Sequence, residues 1–329
     1  MDKIIGIGNA LVDVLIQIED DSLLDELQLP KASMQLIDLE TMEKISAKTA
    51  SMHKSTATGG STCNAMKAIA EMKGESAFIG MIGNDNYGNF FEDTCTKKGI
   101  GTTLIRRHDM QTGVATTFIS PDGERTFATY LGAASAMQDN DLDIGMMFGS
   151  RYILIEGFLV QDKKLMSKAA EIAERDGLRI SLDMASYNIV ENERDFFREF
   201  IRDHVDIVFA NQEEAHAFTG CSNPEDALNE ISALCDTAIV KLGPEGSIIR
   251  SGECTIHQPA MDVDNVVDTT GAGDFFAGGY LYGLSLGLSC EKCAKLGTLL
   301  SGHVIQHIGA TLSDETWNMI RKEAEQILG

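Results

Sequence analysis

The second half of the chain alternates regularly between short apolar runs and longer segments with helical spacing. The apolar runs, rich in β-branched residues, lie at 152–157, 178–183, 205–210 and 238–242. The helical segments that follow or precede them lie at 163–176, 193–204, 212–219 and 224–235. A helix between two strands connects them in parallel and covers one face of their sheet. The sequence therefore predicts an α/β fold with a doubly wound, mostly parallel sheet flanked by helices. The strand ends should face a ligand crevice.

The first half of the chain interrupts this alternation with additional strands. These strand-like segments lie at 11–18, 32–38, 102–107, 114–120 and 125–130. The sequence Pro121-Asp122-Gly123 between the last two is typical of a hairpin turn. Strands that break a βα series early indicate a small sheet projecting from the main domain. We therefore expect a single unit over 1–329, with the small sheet built from about 11–38 and 102–130 and a large α/β domain from the remainder.

A glycine-rich stretch near the end of the chain carries the clearest chemical signal. Residues 268–279 read D-T-T-G-A-G-D-F-F-A-G-G, follow a β-like run at 265–267 and open an apolar segment with helical spacing. The start of a helix carries unpaired N–H groups, and the small residues at 271–273 let a phosphate come close to them. Asp274 adds a carboxylate that can accept a proton. This combination suits phosphoryl transfer to a hydroxyl, although an acidic residue after a glycine turn is also favoured by the helix dipole alone.

A second motif places two glycines before another helix with small residues. Gly59 and Gly60 precede a helical segment in which Asn64 occupies the first turns. Glycines at this point let a ligand lie against the backbone, and Asn64 would point toward it. The alternative is a plain turn in which Ser61 or Thr62 caps the helix.

Both motifs resemble the signatures of one enzyme family. The string at 268–279 resembles the C-terminal signature of the ribokinase-like (PfkB-type) kinases, and Gly59, Gly60, Asn64 and Ala65 resemble their N-terminal signature. The two lie in the family's order, about two hundred residues apart, and the resemblance covers essentially the whole chain. It implies a ribokinase-like fold, in which the small sheet forms a lid over the acceptor, and an ATP-dependent kinase activity.

The resemblance also implies roles for residues near the acceptor. Asp274 would act as general base for a primary hydroxyl, and the backbone N–H groups of Gly271, Ala272 and Gly273 would form the anion hole. Acceptor-binding roles would fall to Asp13, Gly59, Gly60, Asn64 and Arg125. Asp13 also stands out in its own right, because a carboxylate between apolar neighbours is either a turn residue or a ligand group. A buried carboxylate needs a partner such as a sugar diol.

A further group of residues matches the family's nucleotide side. By resemblance, the ATP-binding residues would be Asn211, Glu214, Lys241, Gly243, Gly246, Thr270 and Gln306. Asn211-x-x-Glu214 matches an N-x-x-E motif tied to Mg²⁺ and phosphate, with Glu214 reaching the metal through bound water. The same spacing also predicts a helix-capping box, and Lys241 could equally be a solvated strand end. A K⁺ site at Asp268 is a further expectation from the resemblance.

Four segments favour the adenosine kinase branch of the family. The segments at 8–13, 125–134, 156–158 and 305–312 look more like adenosine kinase than ribokinase. We therefore expect a purine nucleoside, adenosine first, phosphorylated at its 5′ hydroxyl. A sugar such as ribose or fructose and a catalytically silent nucleotide-binding member of the fold are the alternatives.

Other nucleotide-binding classes are poorly supported. Gly6-x-Gly8 follows a predicted strand, but Leu11 replaces the third glycine of a dinucleotide fingerprint and the next segment is β-like. No G-x-x-x-x-G-K-[ST] sequence occurs.

The charge balance excludes several partners. The formal net charge is −23, from 27 basic and 50 acidic residues, which argues against nucleic acid and anionic membranes as partners.

The sequence shows neither a signal-peptide pattern nor an apolar run long enough to span a bilayer, so we expect a cytoplasmic location. We expect a monomer, or a homodimer formed through an exposed edge of the small sheet.

Overall fold

The computed structural model describes residues 1–329, which form fourteen strands and twelve α-helices. The strands are β1 (Lys3–Ile7), β2 (Leu11–Gln17), β3 (Met34–Leu36), β4 (Lys54–Gly59), β5 (Ser76–Gly83), β6 (Gly101–Arg107), β7 (Gly113–Ile119), β8 (Arg125–Tyr130), β9 (Ser150–Glu156), β10 (Arg179–Asp183), β11 (Ile207–Asn211), β12 (Thr237–Lys241), β13 (Ser247–Ser251) and β14 (Cys254–Gln258). The helices are α1 (Ser22–Leu27), α2 (Leu39–Lys48), α3 (Ser61–Glu71), α4 (Asn86–Lys97), α5 (Lys163–Arg175), α6 (Tyr187–Asn192), α7 (Arg194–His204), α8 (Gln212–Thr219), α9 (Pro224–Ser232), α10 (Ala272–Ser285), α11 (Cys290–Val304) and α12 (Asp314–Leu328).

The large sheet has nine strands in the order β14-β13-β12-β11-β10-β9-β1-β5-β6. The pairs from β12 to β6 are parallel, and β13 and β14 extend the sheet in antiparallel pairs. Alternate residues of the central strand β1 enter different cores, since Ile4 joins one apolar cluster while Ile5 and Ile7 join the other. Helices therefore cover both faces, and the prediction of a doubly wound, mostly parallel sheet is confirmed.

The centre of this sheet is a topological switch point. From β1 the chain continues to β5 and β6 on one side, and later to β9 and its successors on the other. Strand connections that leave in opposite directions open a crevice at the carboxyl ends of the two strands. The carboxyl ends of β1 and β9 therefore mark the place where a ligand is expected.

The second sheet has five strands in the order β3-β8-β7-β2-β4. Along β2, Val12, Val14 and Ile16 are buried and join one of the apolar cores, while Leu11 and Asp13, at the alternate positions, are only partly buried. Because successive side chains of a strand point to opposite faces, Leu11 and Asp13 share the other face of this sheet. The small sheet thus offers a second wall opposite the strand ends of the large one.

The strand content of the small sheet differs from the prediction. The strand expected at 102–107 is β6, which pairs with β5 at the edge of the large sheet, whereas β4 pairs with β2 in the small sheet. An edge strand of a large sheet is only half-buried, so its sequence looks like that of a projecting strand. The polar sequence of β4 gave no apolar alternation from which to predict it.

The β-like run at 265–267 is also not a strand. Val266 and Val267 lie in a loop with 54% and 43% of their surface exposed, and no neighbouring strand pairs with them. The glycine-rich stretch therefore follows a loop, which Ile305 anchors by accepting hydrogen bonds from the N–H groups of Val267 and Asp268 (2.8 and 3.1 Å). None of the helices has both the length and the apolar character needed to cross a bilayer.

Candidate active site

The start of α10 presents unpaired backbone donors. Gly271 caps the helix in the left-handed region with a φ of +81°, a conformation that favours glycine. Ala272 donates its N–H to the Thr269 carbonyl (3.1 Å), but the N–H groups of Gly271, Gly273 and Asp274 donate to no acceptor in the protein. Such orphaned N–H groups, together with the positive end of the helix dipole, fit a phosphate.

Asp274 joins the starts of two helices. Its Oδ1 accepts a hydrogen bond from the Ser61 hydroxyl (2.7 Å), and its Oδ2 accepts one from the Asn64 side-chain amide (3.0 Å). The helices α3 and α10 approach closely because Gly278 has no side chain; a β-carbon there would lie 2.8 Å from the Ala65 carbonyl oxygen. The side-chain carbonyl oxygen of Asn64 is buried without a partner. It is thus free to accept a hydrogen bond from a ligand hydroxyl beside the carboxylate.

The environment of Asp274 holds opposing influences on its proton affinity. Burial raises the pKa of this carboxyl above its ordinary value, and the negative charge of Asp183 raises it further. The hydrogen bonds from Asn64 and Ser61 and the positive charge of Lys241 lower it. A carboxylate with a raised pKa is a stronger proton acceptor when it is ionised, which suits a general base.

A charged cluster lies at the carboxyl ends of three consecutive parallel strands. Asp183 ends β10, and Lys241 ends β12 and donates a hydrogen bond to Asp183 Oδ2 (3.1 Å). A β-carbon on Gly273 would lie 3.0 Å from Lys241 Nζ, so this ammonium group sits beside the start of α10. Although burial opposes it, the carboxylates of Asp183, Glu214 and Asp274 raise the pKa of Lys241 above its ordinary value. Lys241 is therefore a largely buried cation, with 16% of its side chain exposed, beside the expected anion hole.

The N-x-x-E motif, Asn211 to Glu214, begins at the end of β11, which lies between β10 and β12. The Asn211 side chain accepts the N–H of Glu214 (2.8 Å), and the Glu214 carboxylate accepts the backbone N–H and the side-chain amide of Asn211 (2.8 and 2.7 Å). The helix-capping interpretation of this motif is thus confirmed. Burial raises the pKa of Glu214 to about 7, an effect that Lys241 opposes and Asp183 reinforces. Both Glu214 oxygens keep lone pairs that can accept water.

A cavity of about 550 Å³ lies between the small sheet and the large domain. The small sheet supplies apolar side chains to its wall, and the loops after β9 and β1 supply others together with a few polar groups. The lining includes Leu11, Met34, Leu36, Ser61, Phe158 and Leu165. Because Ser61 both lines this cavity and donates to Asp274, the cavity opens next to the carboxylate.

Asn9 and Glu156 meet at the switch point itself. They follow β1 and end β9, line the same cavity, and are joined by a hydrogen bond from the Asn9 amide to Glu156 Oε1 (2.6 Å). Glu156 Oε2 also accepts the N–H of Thr62 at the start of α3 (3.3 Å). A β-carbon on Gly8 would lie 2.3 Å from Glu156 Oε2, so glycine is needed for this side chain to fit. Burial raises the pKa of Glu156 to about 7.

The raised pKa of Glu156 predicts that this residue makes a pH-dependent contribution to the free energy of unfolding. A carboxyl whose pKa rises from 4.5 to about 7 on folding favours the folded protein below pH 4.5, and this contribution is lost as the pH rises through about 7. The full loss is about 3 kcal/mol. We expect Glu156→Gln to show a smaller fall in unfolding free energy between pH 5 and pH 8 than the wild type, measured by urea denaturation.

The exposed Glu75 provides the control for this measurement. Glu75→Gln should keep the wild-type pH dependence. The unfolding free energy of Glu156→Gln should still fall somewhat between pH 5 and pH 8, since the pKa of Glu214 is raised in the same direction. Equal slopes for Glu156→Gln and the wild type would show that Glu156 is not the group responsible.

The structure brings most of the expected acceptor residues together around Asp274. Gly60 lines the cavity, and Gly59 packs against Asp13, because a β-carbon on Gly59 would lie 2.1 Å from Asp13 Oδ1. Burial raises the pKa of Asp13 to about 6, the charge of Lys67 lowers it and that of Asp274 raises it. Asp13 is thus within electrostatic reach of the catalytic candidate.

Arg125 is placed differently from the expectation. It does not line the cavity but forms an ion pair with Asp268 in the loop before α10. Asp268 also accepts the N–H of Thr270 (2.9 Å). Gln306 donates its side-chain amide to the Gly302 carbonyl at the end of α11 (2.9 Å).

The expected nucleotide loop is a tight turn between β12 and β13. Gly243 and Gly246 have φ values of +59° and +94°, and a β-carbon on Gly246 would lie 2.1 Å from the Gln258 carbonyl oxygen. No three His, Cys, Asp or Glu side chains of the chain are grouped so that they could hold a metal ion directly. A magnesium ion at Glu214 would therefore fit only through water and phosphate oxygens.

Sequence reasoning missed three residues of the site. Ser61 was considered only as a helix cap, and neither Asp183 nor Glu156 was considered as a site residue. Both carboxylates end a buried parallel strand at the crevice edge of the sheet. A charged residue that ends an otherwise apolar strand was the available signal.

Orphaned N–H groups at a helix start, a carboxylate beside them and an adjoining cavity suit phosphoryl transfer to a hydroxyl of a small molecule. The chain belongs to the pfkB family of carbohydrate kinases, whose family model matches residues 31–317.

Individual relatives agree with this membership. The chain is 31% identical over 259 residues to an aminoimidazole riboside kinase of Salmonella typhimurium, covering 74% of this chain and 78% of that protein. The crystal structure of a Rhizobium etli "probable sugar kinase" superposes with a TM-score of 0.87 at 32% identity, covering 99% and 98% of the two chains. Adenosine kinase from Sinorhizobium meliloti gives a TM-score of 0.86 at 32% identity, covering 99% of both chains. The predicted family and its adenosine kinase branch are thereby confirmed.

Proposed function

We propose that this kinase transfers the γ-phosphoryl group of ATP to the 5′ hydroxyl of a purine nucleoside, with adenosine as the first candidate. The observation that carries the proposal is the position of Asp274. It lies between the orphaned N–H groups at the start of α10 and the cavity that Ser61 lines. A hydroxyl entering from the cavity would meet a proton acceptor on one side and a phosphate site on the other.

Each step of the transfer has a residue suited to it. Asp274 accepts the proton of the attacking hydroxyl, while the free carbonyl oxygen of Asn64 accepts a hydrogen bond from a second hydroxyl of the acceptor. The N–H groups of Gly271 and Gly273 donate to the phosphoryl oxygens as negative charge builds up there. Lys241 adds a positive charge beside Gly273. A loose transition state requires mainly this positioning and charge stabilisation.

The remaining nucleotide-side residues are part of the same proposal. We place ATP along the edge formed by β11 and β12, with contacts from the expected set Asn211, Glu214, Lys241, Gly243, Gly246, Thr270 and Gln306. When bound, Mg²⁺ would neutralise phosphate charge, and Glu214 would hold its water ligands. The small sheet acts as a lid, with its strands taken from β2, β3, β4, β7 and β8.

The walls of the cavity favour a nucleoside over a free sugar. Leu11, Met34 and Leu36 approach from the small sheet, and Phe158 and Leu165 from the large domain. These apolar side chains suit the faces of a purine base, whereas a free sugar would leave them uncovered and expose its hydroxyls to them. The polar groups close to Asp274 suit a ribose in either case. The names of the Salmonella and Sinorhizobium relatives, a riboside kinase and an adenosine kinase, agree with this choice.

An acceptor screen tests the proposal. Purified protein with ATP and Mg²⁺ should phosphorylate adenosine far faster than ribose or fructose, measured by coupled ADP release, and 5′-deoxyadenosine should give no turnover. Turnover of sugars alone would identify a sugar kinase of this fold instead. Stabilisation by ATP in a thermal melt without turnover of any nucleoside or sugar would identify a non-catalytic member.

A further inference from the structure

The Asp268 carboxylate fixes the loop that leads into the anion hole. Only 4% of its side chain is exposed. Its Oδ1 accepts the N–H of Thr270 (2.9 Å), and its Oδ2 accepts the N–H of Gly309 (2.6 Å). It therefore ties the residues just before Gly271 to the segment that follows α11. A buried carboxylate in this position needs a positive partner.

The positive partner comes from the small sheet. Arg125, the first residue of β8, places its guanidinium on Asp268 Oδ2, and only 15% of its side chain is exposed. No other cation of the chain pairs with this carboxylate. Although burial opposes it, the hydrogen bonds from Arg125, Thr270 and Gly309 lower the pKa of Asp268 below its ordinary value. The ion pair thus links the lid directly to the loop before the anion hole.

The donors around Asp268 do not fit a bound monovalent metal ion. A potassium ion is held by a set of oxygen atoms that replace its hydration shell. Both oxygens of Asp268 instead face the positive ends of N–H groups, two from the backbone and the others from Arg125. These groups satisfy the carboxylate and repel a further cation. The K⁺ expected at Asp268 from family resemblance therefore has no place there while Arg125 is bound.

We propose that Arg125 is a positioning residue that replaces a monovalent cation at Asp268, so that the lid itself supplies the charge that orders the anion-hole loop. The N–H groups of Gly271 and Gly273 then adopt their working geometry only when the small sheet has closed. Kinase turnover should consequently be independent of K⁺. The inference rests on the proposed function for its kinetic effects, but not for its structural ones.

The kinetic test compares cations at constant ionic strength. Wild-type kcat should be the same in potassium, sodium and choline chloride. Arg125→Gln should lower kcat by roughly 10²-fold, the effect of a small misplacement of catalytic groups, with little change in the KM for the acceptor. Added K⁺ or guanidinium should restore part of kcat in this variant but not alter the wild type. Lys31→Gln is the matched control, because it removes another lid cation that pairs with Asp21 and Asp122 away from the site.

Several kinetic results would overturn the inference. Activation of the wild-type enzyme by K⁺ would show that a metal ion is still required. A raised acceptor KM with unchanged kcat in Arg125→Gln would show that Arg125 binds the acceptor. Wild-type kcat in Arg125→Gln, or no recovery with either cation, would show that its charge does not order the loop. If Arg125→Gln does not fold, Arg125→Lys takes its place; it should retain part of kcat, and loss as complete as in Asp274→Ala would count against the inference.

A crystallographic experiment tests whether a monovalent cation binds at Asp268 without requiring kinase turnover. Thallium(I), a heavy analogue of potassium, should give an anomalous peak at the Asp268 carboxylate in Arg125→Gln crystals and none in wild-type crystals. A peak in the wild type, or none in the variant, would overturn the inference. If the wild type phosphorylates no acceptor, the proposed function fails, yet this comparison still tests the role of Arg125.

Discussion

Replacing Asp274 with alanine should lower kcat by roughly 10²–10⁴, the usual range for losing a general base, while ATP affinity changes little. The carboxylate is the only group at the start of α10 that can accept a proton beside the hydroxyl of Ser61 and the amide of Asn64. The phosphate-binding N–H groups belong to the backbone and survive the substitution. Steady-state kinetics would measure the first effect and isothermal titration with ATP the second.

Two further variants separate chemistry from structure. Asp274→Asn keeps the size of the side chain but cannot take a proton, so it should lose about as much kcat as Asp274→Ala. Asp314→Ala removes another acidic residue from the first turn of a helix, α12, away from the site, and should leave kcat unchanged. If Asp274→Asn retained wild-type turnover, Asp274 would have to be a binding residue and another group the base.

The parts of the site that sequence predicted are those with local causes. Gly271 must adopt a left-handed conformation, and Asp274 follows within one helical turn, so both are written into one short string. The capping box of Asn211 and Glu214 is equally local, because its two side chains are three residues apart. Such features depend on backbone conformation over a few residues, and the sequence specifies that directly.

The parts that sequence did not predict depend on which strands are neighbours. Asp183 and Lys241 meet only because β11 lies between their strands and brings both to the same sheet edge. Arg125 and Asp268 are 143 positions apart, the first on β8 of the small sheet and the second in the loop before α10. No local sequence pattern indicates such a pair. An arginine of the small sheet that pairs with a buried carboxylate has the same kind of sequence neighbours as one that is exposed to solvent. The assignment of β6 to the small sheet instead of the large one has the same origin.

A lysine at a strand end is usually solvated, so the sequence gives little reason to expect Lys241 in the site. In the structure, its ammonium group lies beside Gly273 and in the field of three carboxylates. We expect Lys241→Met to destabilise the protein by about 3–5 kcal/mol at pH 8, since removing one partner leaves buried charges uncompensated. The affected carboxylates are those of Asp183, Glu214 and Asp274, which all lie in its field. Lost charge beside Gly273 should also lower kcat by roughly 10²-fold.

The pH dependence of Lys241→Met identifies the mechanism of this loss. Without the cation, the pKa values of Glu214 and Asp274, which are already raised in the folded protein, rise further above those of the unfolded chain. A raised folded pKa favours folding at low pH and loses that contribution as the pH increases, so the deficit against wild type should be much smaller at pH 5 than at pH 8. Urea denaturation at both pH values measures it.

The double variant Lys241→Met/Asp183→Asn completes the test. It removes the charge of the carboxylate that Lys241 contacts at 3.1 Å and should recover part of the stability at pH 8. Lys295→Met, which breaks an exposed ion pair with Glu291 one helical turn away, should have no measurable effect. A deficit in Lys241→Met that is the same at both pH values, and unchanged by Asp183→Asn, would mean that lost packing rather than unbalanced charge destabilises the protein. Lys241 would then be a structural residue, and the phosphoryl group would rely on the backbone donors of α10 alone.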